Sequence, residues 1–314
     1  MNQQSYKTSF IGEGVDLFKI QLVNFLLGLV TLGFYYPWAK AKKLQFLYSS
    51  TTLEGHPFAF TGTGKEMFKG FIRAVLLFVG FYSILFVFIY FKHLYIGAAI
   101  FYLGILAIIP LAIHGSFRYR MAKTVWKGIR FGYLGERGKL IKLFAGGLLL
   151  SIITFGLYFP FFSIKLRTYI IQNIKVGDAT FDYNGDDTYY FWLSIGGYIL
   201  SVLTLGIYSF WWQKKLFEFF VNHIQLRKHD KELRFRSRAS VGDFFELIII
   251  NFLITVFTLG LGYPWTLVRT LKFVTRNIII EGHLSLDELQ QLQSDYSNAT
   301  GEDLSDMLDL GLVI

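Results

Sequence analysis

The stretch TLGFYYPWAKAKK, residues 31–43, decides how the rest of the chain is read. It runs from the end of an apolar segment through a glycine, two tyrosines and a proline–tryptophan pair into lysines. The same figure returns as TFGLYFPFFSIKLR at 154–167, TLGIYSFWWQKK at 204–215 and TLGLGYPWTLVR at 258–269. Each copy opens on a threonine: Thr31, Thr154, Thr204 and Thr258. Gly33, Gly156, Gly206 and Gly260 then supply a residue that tolerates the left-handed conformation in which helices end. Pro37, Pro160 and Pro264 suit the first turn of a new helix, where a missing N–H costs nothing. The rings of Tyr36, Trp38, Trp211 and Trp265 favour a membrane–water interface. The figure therefore predicts the end of a membrane helix at the headgroups. A soluble core with aromatic corners is the alternative, and the apolar runs are too long and too free of charge for it.

Composition agrees. Of 314 residues, 53% are hydrophobic and only 17% charged, yet the net charge is +9. The basic residues gather outside the apolar runs, where anionic lipid headgroups lie, so membrane lipid is the expected partner and nucleic acid is not. There is no cysteine, which excludes disulfides, thiolate metal ligands and a cysteine nucleophile together.

Outward from the corners, FIGEGVDLFK at 10–19 and FTGTGKEMFK at 60–69 nearly match, with weaker echoes in FGYLGERG from Phe131 and FDYNGDD from Phe181. Each reads as a short aromatic strand, a glycine turn and the start of an apolar helix. The prolines recur at steps of roughly fifty residues, with Pro110 and the basic run HGSFRYRMAK as a decayed copy. One extra apolar helix, 71–91, accounts for the longer first gap, and Lys92 and His93 separate it from the next apolar run. The expected fold is an all-α polytopic membrane protein of degenerate repeats, with interfacial amphipathic helices and short β-hairpin-like strands. Its six transmembrane helices fall at 17–36, 71–91, 94–113, 140–160, 189–210 and 244–265. Residues 1–282 form this domain. Residues 283–314 are an acidic soluble tail without lysine or arginine, containing a capping pattern at Ser285 and Glu288 and an NAT triplet at Asn298.

Topology sets two arguments against each other. If every run crosses once, twenty lysines and arginines fall on one face and eight on the other, which places both termini outside. The matching turns at Phe10 and Phe60 would then sit in different compartments. Re-entrant corners with all strands in one sheet would instead put both termini in the cytoplasm. The sequence favours six crossings weakly.

The run TLGFYYPWAK followed by LYSSTTLEGHPFAFTGTGKEMFKG resembles the YjgN family of bacterial inner-membrane proteins, a family of unknown function, from about Phe10 to Gly282. Phe161 stands where tryptophan is expected and Phe210 where proline is. The resemblance implies a multi-pass inner-membrane protein and supplies no catalytic residue.

No constellation for chemistry emerges from the sequence, so neither enzyme activity, a cofactor nor a metal is expected. The six histidines lack helical ligand spacing. Asp182, Asp186 and Asp187 lack the full calcium-loop pattern. Within the spans, Gln21, Asn24, Glu246 and Asn251 are polar residues of the kind that line a pathway or bond a neighbouring helix. Lys40, Lys42, Lys43, Lys214 and Lys215 are placed to grip anionic headgroups. Two readings follow. A transporter or channel for a small or lipidic solute calls for an enclosed polar cavity. A non-transporting membrane-organising or lipid-binding protein calls for none. Oligomeric state is not legible.

Overall fold

The computed structural model describes residues 4–290. Ten strands and ten helices alternate in pairs. Strand β1 (Gln4–Phe10) leads into α1 (Gly14–Val30) and α2 (Tyr36–Ser50), then β2 (Thr51–Leu53) and β3 (His56–Phe60). The pattern repeats through α3 (Gly64–Tyr90), α4 (Leu94–Lys123), β4 (Thr124–Trp126) and β5 (Ile129–Tyr133). Next come α5 (Arg137–Ile153), α6 (Phe159–Gln172), β6 (Ile174–Val176) and β7 (Ala179–Tyr183). The last units are α7 (Asp187–Leu203), α8 (Ser209–Asn222), β8 (Ile224–Lys228) and β9 (Lys231–Ser237), then α9 (Val241–Phe257), α10 (Tyr263–Arg276) and β10 (Ile278–Gly282).

Each strand pairs antiparallel with its neighbours in sequence, and β10 closes on β1 through Tyr6 opposite Ile280. The result is a closed ten-stranded barrel. In such a barrel strands alternate in direction, so every other connection lies at the same end. Tight turns at Glu54-Gly55, Lys127-Gly128, Gly177-Asp178 and His229-Asp230 occupy one end, and all five helix pairs rise from the other. The helices form a second ring, each packed on the next and α10 on α1.

This corrects the all-α, six-helix reading. The apolar runs at 17–36, 140–160, 189–210 and 244–265 do not carry the chain to an opposite face. Each climbs, turns at its corner and returns to the barrel along the following basic helix. Those basic helices are the returning arms of hairpins rather than helices lying in the interface. Among the described residues, only α3 and α4, of 27 and 30 residues, are long and apolar enough to cross a membrane. The other arms have 14 to 17 residues, about 21–25 Å of helix. Sequence alone misled because an apolar run looks the same whether it crosses or turns back. The pairing of β1 with β2 settles which.

Large exposed hydrophobics concentrate on the odd-numbered helices, for instance Phe25, Phe86, Ile152, Leu203 and Phe257. The even-numbered helices lie on the inner side, except that the first half of α4 is exposed as well, at Leu94, Tyr95, Tyr102 and Leu103. The seam between successive pairs is aromatic on glycine. A Cβ on Gly64 would lie 2.5 Å from Trp38, and one on Gly14 2.5 Å from Trp265, where the ring closes. The fifth residue of four odd helices packs its ring against the start of the neighbouring even helix: Phe18 on Trp265, Phe68 on Trp38, Phe191 on Phe161 and Phe245 on Phe210. Phe161 thus keeps the ring contact of the tryptophan it replaces, while Phe210, at the proline position, makes that contact one residue earlier in its copy.

Inside the barrel, Leu53, Trp126, Val176, Ala179, Leu226, Leu233 and Ile280 form a packed core. Leu284, Leu286 and Leu289 join it from beyond β10. Ser285 caps a single 3-10 turn at Leu286–Glu288, accepting from the Asp287 N–H rather than forming a capping box with Glu288. The NAT triplet at Asn298 lies outside the described residues.

Candidate functional site: corners and central chamber

The four corners share one backbone. Leu32, Phe155, Leu205 and Leu259 have φ of 50–51°, and the glycines after them 87–92°. Glycine suits that left-handed step; the preceding apolar residue occupies it only because its side chain points into open space, 89–99% exposed. At the first corner every N–H from Thr31 to Tyr35 has an acceptor: Leu27, Leu29, Gly28 and Thr31 carbonyls, then the Thr31 hydroxyl. Thr31 Oγ1 donates to Leu27 O at 2.7 Å while accepting from Tyr35 N at 3.0 Å. Thr154, Thr204 and Thr258 do the same with Leu150 and Tyr158, Leu200 and Tyr208, and Ile254 and Gly262. A turn with its donors satisfied internally and its side chains apolar can enter hydrocarbon, which an open turn cannot.

Of the polar residues expected to line a pathway, Asn24, Glu246 and Asn251 each tie the two arms of their own pair. Asn24 donates to Ala39 O at 3.3 Å, Asn251 to Thr270 Oγ1 at 3.1 Å, and Glu246 pairs with Arg269 at 2.6 Å. None of them lines the central chamber described next. Among the expected headgroup lysines, Lys42 and Lys215 are exposed, and Lys214 pairs with Glu218. Lys40 is buried, and Lys43 lies over the Tyr263 ring with its ammonium 3.2 Å from the hydroxyl.

Lys40 and Lys43 belong to the central chamber, a cavity of about 550 Å³ between the even-numbered helices and the barrel. Leu44, Leu47, Met121, Ile171, Leu267 and Leu271 wall it, and Arg120 adds a third cation. Phe58, Phe131, Phe181 and Phe235, from β3, β5, β7 and β9, form its floor and also cap the barrel core. A second cavity of about 450 Å³ lies beside it between α4 and α6, and Ile171 lines both. There Arg167 sets its guanidinium 3.6 Å from the centre of the Phe220 ring.

The floor was partly visible in the sequence. Phe58-Ala-Phe60-Thr-Gly62, Phe131-Gly-Tyr133-Leu-Gly135 and Phe181-Asp-Tyr183-Asn-Gly185 each alternate aromatics two apart, which puts both on one strand face. The second ring folds over the glycine: a Cβ on Gly62, Gly135 or Gly185 would lie 2.3–2.7 Å from it or from a neighbouring ring. Arg120 and Arg167 carried no such signal. The acidic trio separates, with Asp182 paired to Arg227 at 2.7 Å and Asp186 capping α7. Among the described residues no acidic, histidine or cysteine cluster could hold a metal.

The model of a family described as bacterial protein of unknown function (DUF898) matches residues 5–187 and 212–307. The chain belongs to that family. Inner membrane protein YjgN of Salmonella typhimurium is 32% identical over 174 residues, covering 55% of this chain and 40% of the relative. The protein of the same name from Escherichia coli O157:H7 is 32% identical over 133 residues, 42% of this chain and 32% of the relative. The chain thus spans less than half the length of the curated relatives it matches. The family expected from the corner motif is the family found. No solved structure matches.

Proposed function

We propose that the chain is a multi-pass inner-membrane protein built of internally repeated helix pairs, which holds a lipidic ligand in its central chamber. The relatives' names, the exposed apolar odd helices and the two long arms support the membrane assignment. Lys92 is the one lysine or arginine in the five corners, whereas the tight turns carry Lys127 and are flanked by Lys228 and Lys231. By the positive-inside rule the barrel and both termini are cytoplasmic, and four corners are re-entrant. Lys42 and Lys215 are available to anionic headgroups.

The observation that carries the ligand reading is the apolar chamber closed below by the aromatic floor. A solute pathway through the barrel would need an open, polar lumen, and this barrel is filled by its core. The transport reading called for a polar cavity; apolar walls with cations suit an amphiphile. Protein extracted in a neutral detergent and examined by native mass spectrometry should carry bound amphiphile, and in planar bilayers it should pass no current. Ligand-free protein that conducts ions would sink this reading.

A further inference from the structure

The cavity between α4 and α6 has the chemistry of a head-and-tail site. Its far wall is apolar, with Ile109, Ile113, Phe144 and Leu148 in line. At the near end stand Arg167, Ser163 one helical turn before it, and Tyr190 from α7. Ser163 Oγ lies 3.5 Å from the Tyr190 hydroxyl. Arg167 is half-buried, and among the described residues no carboxylate is paired with it; its contact is the face of Phe220. No aspartate or glutamate lines this cavity or the neighbouring chamber. A guanidinium on an aromatic wall, without an anion of its own, is costly to hold in apolar surroundings and is relieved by an incoming anion. Its fork of donors matches a carboxylate or phosphate. A volume of about 450 Å³ falls in the range of small-ligand pockets.

We infer that this cleft binds a single-chain anionic amphiphile, its acidic head on Arg167 and its acyl chain along the α4–α5 wall. The inference rests on the reading above that this protein holds a lipidic ligand, extends it to the cleft that shares Ile171 with the chamber, and adds the sign of the ligand's charge there and the residue that reads it. Tyr190 offers a hydroxyl donor to the same head, while Ser163 gives its hydroxyl hydrogen to the Pro160 carbonyl at 2.8 Å and can only accept. Lys165, exposed on another face of α6, takes no part.

The test is competitive retention by the purified full chain of palmitate, a lysophosphatidylglycerol and the neutral monopalmitoylglycerol, read by native mass spectrometry. The wild type should retain one or both acids about tenfold over the neutral amphiphile, the size expected of a charge-assisted hydrogen bond. Which acid is retained tells a carboxylate site from a phosphate site. Arg167→Gln should drop the acids to the neutral level, Arg167→Lys should recover part of the preference, and Lys165→Gln should change nothing. Leu148→Trp, which fills the chain slot, should lower retention of all three. Equal retention of acids and neutral amphiphile by the wild type, or an unchanged preference in Arg167→Gln, overturns the head assignment while leaving the chamber reading intact. Retention of none by the wild type overturns both. Melting temperatures of the variants in the same detergent separate loss of the site from loss of the fold, and Arg167→Lys keeps the test valid if Arg167→Gln unfolds.

Discussion

At Thr31 one hydroxyl closes two backbone accounts, donating to the carbonyl of the outgoing helix and accepting from the N–H that starts the returning one. In water such a bond contributes little, because solvent replaces it. In an apolar setting the orphaned groups have no substitute. Thr31→Val, which keeps the shape and deletes the hydroxyl, should therefore destabilise the protein by about 1–3 kcal/mol, and Thr31→Ser by much less. Thermal unfolding in a mild detergent checks this. Equal melting temperatures for Thr31→Val and wild type would mean that the corner sits in water. The recurrent hydroxyl, legible as a fourfold threonine, is thus explained by hydrogen bonding at the turn.

Among the elements, the segment after β10 is held at the tight-turn end of the barrel by charges as well as by leucines. Lys231 pairs with Glu288 at 2.7 Å, Lys127 with Asp287 at 3.0 Å, and Lys228 with Asp178 at 2.8 Å. Asp178 in turn accepts from the Gln290 N–H at 3.2 Å. Burial pushes the Asp178 carboxyl up, but the hydrogen bonds from Lys228 and Gln290 and the lysine charge outweigh it and hold the carboxyl below its ordinary range. Lys228 and Asp178 both belong to the barrel, so the share of the depression that comes from the Gln290 N–H is what stabilises the docked state above the ordinary carboxylate pKa, about 4, and is lost as pH falls through the lower folded value. Docking of 284–290 should therefore be intact at neutral pH and weaken in acid below about pH 4. Limited proteolysis with an acid-active protease reads the release. Asp178→Asn should be cleaved at its acid rate from the outset, and a rate in that variant that still rose steeply through the same interval would overturn the assignment to Asp178.

Taken whole, the molecule makes a topology prediction that its lack of cysteine makes clean to test. Single cysteines at Lys92, Phe155 and His229 report the long pair's tip, a short pair's tip and the barrel's far end. With a membrane-impermeant maleimide on intact cells, Lys92→Cys should label at once. His229→Cys should label only after the inner membrane is opened. Phe155→Cys should resist in both states, because a re-entrant tip ends in hydrocarbon. Labelling of Phe155→Cys from outside would show that the short pairs also cross, though the barrel would still keep both termini on one side.

The sequence by itself determined the local grammar of this protein: threonine–glycine corners that end a helix, aromatic strands ending on a glycine, the family, and a surface suited to lipid. Those features depend on residues within a few positions of one another, and periodicity exposes them. Whether an apolar run crosses or returns depends on which strand pairs with which, and Phe10 opposite Thr51 or Tyr6 opposite Ile280 is a contact across 41 or 274 residues that no local pattern encodes. The same holds for the chamber. Lys40, Lys43, Arg120 and Arg167 look in sequence like any basic residues after a membrane segment. Only closure of the helix ring over the aromatic floor turns them inward, away from the headgroups, onto apolar walls.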